Sequence, residues 1–114
     1  MSSAARWSMT AQATHWALQS ADGWTGVPVW AAPETFACDY TMDSRLMRDA
    51  RGDEFTTREV IFTERATVRP GDRVLIGVSA LLDPVAAGAR EVRSVMRYGD
   101  TLERKADDYM LGTV

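Results

Sequence analysis

The chain is poor in the side chains that most often carry chemistry. It has one cysteine, Cys38, and one histidine, His15. A single thiol cannot close a disulfide within the chain, which excludes the cysteine-stapled architecture of small secreted domains. A metal centre needs several Cys, His or carboxylate ligands at defined spacing. The acids Asp39, Asp43, Asp49, Asp53 and Glu54 follow no EF-hand order, and Arg45, Arg48 and Arg51 are interleaved with them. No glycine-rich loop opens a helix: "GDRVLIG" leads into a strand pattern, so the phosphate-cradling context is missing. Neither a metal nor a cofactor is expected. Apolar runs of the ~20 residues that span a bilayer are lacking. The first residues, "MSSAARWSMTAQATHW", do not have the continuous apolar core of a signal peptide, so a soluble cytoplasmic product is expected. Basic excess is lacking too. The net charge is -3 and the pI about 5.1, which argues against a general nucleic-acid binder.

What is present is an ordinary globular composition. With 114 residues, 46% hydrophobic and 25% charged, the chain fits one domain with a thin core. Its patterning has the period of strands. "QATHWALQ" (12 to 19) places Thr14, Trp16 and Leu18 on one face. Asp22-Gly23 then signals a turn. In 27 to 41, Pro28 and Pro33 belong at an edge, a strand start or a bulge, and Phe36, Cys38 and Tyr40 share a face. "FTTREVIFTER" (55 to 65) is rich in β-branched and aromatic residues, which favour strands. Pro70-Gly71 turns the chain into a buried strand through Val74, Leu75, Ile76 and Val78. Asp83-Pro84 and Gly88 close another connection. A strand over 90 to 98 sets Val92, Ser94, Met96 and Tyr98 opposite Glu91, Arg93, Val95 and Arg97. A last strand spans about 108 to 113. The expectation is mainly β: a small barrel or sandwich of about six strands with long loops and little helix. It is a single β domain over 1-114, with an N-terminal arm (about 1-11) and a long loop (about 42-54). Minor helix is allowed near 44 to 50 or 84 to 90.

Catalysis finds little to stand on. His15 as a base needs an orienting carboxylate and a nucleophile, and Cys38 as a nucleophile needs a lowered pKa and a base. His15 reads more readily as a surface or structural group, and Cys38 as a small buried hydrophobe. The chain is not expected to be an enzyme. All four tryptophans (Trp7, Trp16, Trp24 and Trp30) fall in the first 30 residues, where the only charges are Arg6 and Asp22. Some of these rings belong to the core. Trp7 and Trp24, outside the clearest strand faces, are candidates to anchor a protein interface, where Trp is enriched. The corner "GDTLERKADD" mixes Asp100, Glu103, Asp107 and Asp108 with Arg104 and Lys105 and reads as a docking or solvated surface.

The succession "EVIFTER", "PGDRVLIG", an Asp-Pro connection and "EVRSVMRYGDTLERKADDYML" resembles small tailed-phage neck proteins, the head-tail joining or head-closure proteins of the lambda FII type. The resemblance covers about 27 to 114. It is carried by Gly71-Asp72, Val92 to Tyr98, Asp100-Thr101-Leu102 and Ala106-Asp107-Asp108-Tyr109, which are fold-forming positions rather than a catalytic signature. It implies a structural virion protein of the neck, made in the host cytoplasm. Such a protein forms a hexameric or dodecameric ring through a head-to-tail contact between subunits. The ring closes the DNA-filled head and meets portal or adaptor proteins on one side and a tail terminator or tail tube on the other. DNA passes through without sequence-specific binding, and no membrane is involved. The expected interface residues are Leu46, Met47, Arg48 and Arg51 in the loop and Arg104, Lys105 and Asp108 in the corner. The alternatives are a tail-side component such as a tail terminator, whose fold carries substantial helix, and a small ligand-binding β-barrel.

Overall fold

The computed structural model describes residues 10–21, 26–42, 44–49, 51–98 and 108–114. Ten strands follow one another among the described residues: β1 Ala11–Trp16, β2 Leu18–Ala21, β3 Pro28–Trp30, β4 Glu34–Thr41, β5 Leu46–Arg48, β6 Glu54–Thr56, β7 Glu59–Thr63, β8 Arg73–Ile76, β9 Arg90–Tyr98 and β10 Asp108–Thr113. Six of them close an antiparallel barrel in the order β1-β4-β7-β10-β9-β8, and β2-β3 and β5-β6 form two separate hairpins. The mainly-β expectation therefore holds, in its barrel form. The described residues contain no helix.

Alternation explains the filling of the bore. Ala13 of β1, Phe36 and Cys38 of β4, Ile61 of β7, Val74 of β8, Val92 of β9 and Leu111 of β10 pack together. At six strands a barrel is narrow enough for its own side chains to fill it. One step of strict alternation fails, for a visible reason. Val92 and Val95 both pack on the core, although three residues apart they belong to opposite faces. The register of β9 against β10 slips between Gly112 and Thr113, which pair with Ser94 and Val92. The extra residue, Arg93, is a β-bulge that turns the strand over.

The chain reaches β8 from β7 by crossing one end of the barrel, since the two strands are three apart in the ring. Val68 of this crossover is buried against the core and plugs that end. The β8-β9 seam itself is short, with only Arg73↔Glu91 and Val74↔Arg90 in register. Two backbone bonds lengthen it, Gly71 N to the Val92 carbonyl at 2.8 Å and Val92 N to the Asp72 carbonyl at 2.9 Å.

The segment 42 to 54, read from sequence as a long loop with room for a helical turn, contains instead most of a hairpin. Leu46 pairs with Thr56, Met47 with Phe55 and Arg48 with Glu54. Its tip is organised by Asp49, whose Oδ1 accepts from Arg51 N at 2.9 Å and Asp53 N at 3.0 Å. Gly52 there has φ +87°, a left-handed conformation that glycine adopts without a Cβ clash. The hairpin lies on the outside of the barrel, where Met47 and Phe55 pack on Val60 and Phe62 of β7 and Met110 of β10. The single strand expected over 55 to 65 is thus two, broken at Thr57 and Arg58 where the chain passes from hairpin to barrel. The other helical option, 84 to 90, is a run of turns entering β9.

Gly112 sets how closely the hairpin approaches. A Cβ at that position would stand 2.9 Å from Met47 Sδ and 3.1 Å from Thr57 Cγ2, and Thr57, being β-branched, has little freedom to yield. Gly112→Ala is expected to cost about 1–3 kcal/mol by overpacking. The measurement is the urea midpoint, and a midpoint equal to wild type would show that the hairpin is not tightly seated.

Candidate functional site

Three regions of the described residues hold the polar and apolar groups from which function could be built. The first is a buried polar chain at the plugged end of the barrel. In the β1-β4 ladder His15 stands opposite Glu34. The crossover brings Arg65 and Asp72 to the same place. His15 Nε2 and Asp72 Oδ2 are 2.8 Å apart, with both side chains buried. Arg65 Nε donates to His15 Nδ1 at 3.0 Å, and Arg65 Nη2 to Glu34 Oε2 at 2.6 Å. The guanidinium also lies 5.6 Å from the centroid of the Phe36 ring, within cation–π range. Because an arginine Nε can only donate, Nδ1 accepts, and the imidazole proton is on Nε2, facing Asp72.

Asp72 gathers two further donors, Leu18 N on Oδ1 at 2.9 Å and Arg69 N on Oδ2 at 3.0 Å. Burial pushes its carboxyl upward. The bonds from His15, Leu18 and Arg69 outweigh that and hold it below the usual aspartate range. Glu34 is also held low, first by the hydrogen bond and then by the charge of Arg65.

A cleft of about 270 Å³ opens beside this chain, with His15, Glu34, Arg65 and three alanines in its wall. The imidazole is nevertheless poorly placed for proton transfer, since Arg65 occupies one ring nitrogen and Asp72 the other. A base needs a free nitrogen at the substrate. The Cys-His pairing is ruled out by register. Cys38 is opposite Ala11 while His15 is opposite Glu34, which puts them roughly 13 Å apart along the ladder at ~3.3 Å per residue. The Cys38 thiol is buried, and burial, then the neighbouring Asp39, raise it to about 11. That is the opposite of an activated nucleophile. Among the described residues no three His, Cys, Asp or Glu side chains gather as metal ligands. The His15 chain is best understood as a fastening.

The second region is the outside of the barrel around the β5-β6 hairpin. A groove of about 530 Å³ runs between β5 and β9, with Leu46, Met47, Val95, Met96 and Met110 in its wall and Arg45, Arg48, Arg93 and Asp49 among its polar groups. Met96 and Met110 are cross-strand partners. Of the expected interface residues, Leu46 is 69% exposed. Arg48 is outward too and meets Glu54 at 3.6 Å, an exposed pair of small energetic value. Arg51 is exposed at the hairpin tip. Met47 differs: it is 8% exposed and serves as the internal anchor of the hairpin, since alternation turns it toward the barrel while its neighbours point away. Asp108 begins β10, opposite Tyr98. Trp7, Trp24, Arg104 and Lys105, with most of the charged corner, lie outside the described residues.

A third feature had no signal in the periodicity. Between β8 and β9 the chain exposes Leu81, Leu82 and Val85. This turn is held from beneath by Trp16, buried on the outer face of β1, whose Nε1 donates to the Leu81 carbonyl at 2.9 Å. The clue in the sequence was compositional: Asp83 is the only charge between Arg73 and Arg90.

The chain matches no family model, no curated protein and no solved structure.

The acid limb of stability follows from Asp72. A carboxyl held low in the fold contributes stability that is fully present above its unfolded pKa, near 3.9, and is lost as pH falls through the folded value. Glu59 acts in the reverse sense. Burial raises it despite the Arg90 ion pair, so its protonation on acidification relieves a cost. Asp72→Asn is expected to lower stability at neutral pH by about 1.5–3 kcal/mol, the range for hydrogen bonds to a charged group, and to flatten the loss below about pH 4. Urea midpoints across pH 2–7 (roughly the span over which carboxyls titrate) read both effects.

Proposed function

We propose that the chain is a structural subunit of a tailed-phage neck, closing the DNA-filled head and joining it to the tail. The observation that carries this reading is where the barrel keeps its free apolar surface. The bore is packed with side chains, whereas large exposed apolar residues stand outside, on the hairpin at Leu46 and on the turn at Leu81, Leu82 and Val85. Surface of that kind marks contact with other macromolecules. The resemblance implies segments that order on assembly, here 42 to 54, the N-terminal arm and 80 to 90, and both exposed patches fall within these.

The two alternatives fit less well. A ligand-binding barrel needs an open interior, and here Phe36, Ile61, Val92 and Leu111 meet in the middle. A tail terminator carries substantial helix between its strands, while the described residues form strands and turns. The acidic balance suits a ring around a DNA channel, because fixed positive charge would hold phosphate and slow passage. On this reading the work is non-covalent. Subunits bury apolar surface against one another, and arginines such as Arg48 and Arg51 at the hairpin orient the contact.

The test is a lysate made after deleting the gene from the genome that carries it, viewed by electron microscopy. Heads, filled or emptied, are expected beside finished but unattached tails, with joining restored when the wild-type chain is supplied in trans. Whole particles in normal numbers would overturn the proposal.

A further inference from the structure

The β5-β6 hairpin has one strand edge without a partner among the described residues. β5 is bonded to β6 alone. The phase of that ladder is fixed at both ends. Thr57 N donates to the Arg45 carbonyl at 2.9 Å, and Asp49 N to the Asp53 carbonyl at 2.9 Å. Bonded and non-bonded pairs alternate in an antiparallel ladder. The Met47–Phe55 pair is therefore bonded as well, and the N–H and C=O groups of Leu46 and Arg48 point away from β6. That free edge opens into the groove beside β9, for every residue of β5 lines the groove and none of β6 does. Across it lie Ser94, Val95 and Met96, with Met110.

We propose that an extended segment of a partner protein adds to this edge as an antiparallel third strand of the hairpin. Two observations select that occupant over a folded surface or a small apolar ligand. The first is the row of main-chain groups. Leu46 and Arg48 offer two donors and two acceptors about 7 Å apart, a spacing that another strand's backbone repeats. An apolar ligand would leave all four unpaired. The second is size. β5 is three residues long, about 10 Å of edge, and an added strand widens the sheet by only ~4.8 Å. A stable contact between folded proteins buries about 800 Å² on each partner, far more than this slot offers, whereas a single strand fits it. Alternation then sets the side chains. Met47 packs on the barrel while Leu46 and Arg48 are exposed. The added residue opposite Met47 thus points inward, onto Met96, which is 43% exposed, and its two neighbours face solvent. An aliphatic side chain between two polar ones is the pattern this edge reads. The contact uses only the hairpin and β9 and does not depend on a place in a virion.

Amide exchange and a designed peptide test the contact on the full-length chain. In the free chain the Leu46 and Arg48 amides are expected to exchange with deuterated solvent at least roughly tenfold faster than that of Met47, whose N–H is bonded to β6. The probe is the peptide acetyl-Lys-Val-Thr-Val-Thr-Val-Lys-amide, followed by amide NMR. Its binding is expected to shift and protect the Leu46 and Arg48 amides. A copy N-methylated at both threonines keeps the side chains but loses the two donors aimed at β5, and is expected to bind about tenfold or more weakly. Arg48→Pro removes one donor of the edge and no bond to β6, and is expected to weaken the parent peptide about two- to tenfold. Equal affinity for the two peptides, or no shift at millimolar peptide, would overturn the proposal. Protection of these amides that grows with protein concentration would give the edge to a second copy and overturn it also. None of these outcomes bears on the gene-deletion lysate, so the two proposals fail separately.

Discussion

The fold hangs on the carboxylate of Asp72. It stands where the crossover from β7 arrives at β8, the one step in the chain that joins strands on opposite sides of the barrel. Its two oxygens take donors from three places at once: His15 on β1, the start of β2 at Leu18 N, and the crossover itself at Arg69 N. Its backbone carbonyl meanwhile accepts from Val92 and extends the shortest seam of the barrel. A buried carboxylate is costly unless such donors surround it. Once they do, its removal leaves several of them unpaired together, which is why a single atom pair has leverage over a closure involving strands far apart in sequence.

From that fastening the polar chain continues outward through His15 and Arg65 to Glu34. It grades from buried to exposed, so that charge is neutralised inside and solvated outside. The arrangement also shows what holds His15 in place. An imidazole between a carboxylate and a guanidinium resembles a catalytic relay on paper, yet the arginine takes the nitrogen that a substrate would need. The resemblance to a relay stops at the Asp-His contact.

Strand-forming segments were legible from the sequence because alternation and β-branched content are local properties. Val74 and Ile76, or Phe36 and Cys38, announce their shared face within a few residues. Three things were not legible, each because its cause is remote. The inward turn of both Val92 and Val95 depends on a bulge defined by β10. The hairpin within 42 to 56 contains charged residues throughout, and only the apolar outer face of β7 and β10 makes a place for Met47 and Phe55. The His15–Asp72 bond joins residues 57 apart, and Gly71-Asp72, noted from sequence as a turn, a strand start and a fold-forming pair, gave no sign of the side-chain bonds that hold the barrel closed. The exposed Leu81, Leu82 and Val85 read as part of a closing connection, because an apolar residue in a sequence carries no mark of which side of the chain will be covered.

The outer surface obeys a different constraint from the bore. Inside, every strand contributes residues and the packing is shared around the ring. Outside, the β5-β6 hairpin covers β7 and β10, and the turn after β8 is fastened on β1. Those connections differ in length and composition, so the surface they leave is asymmetric around the barrel axis.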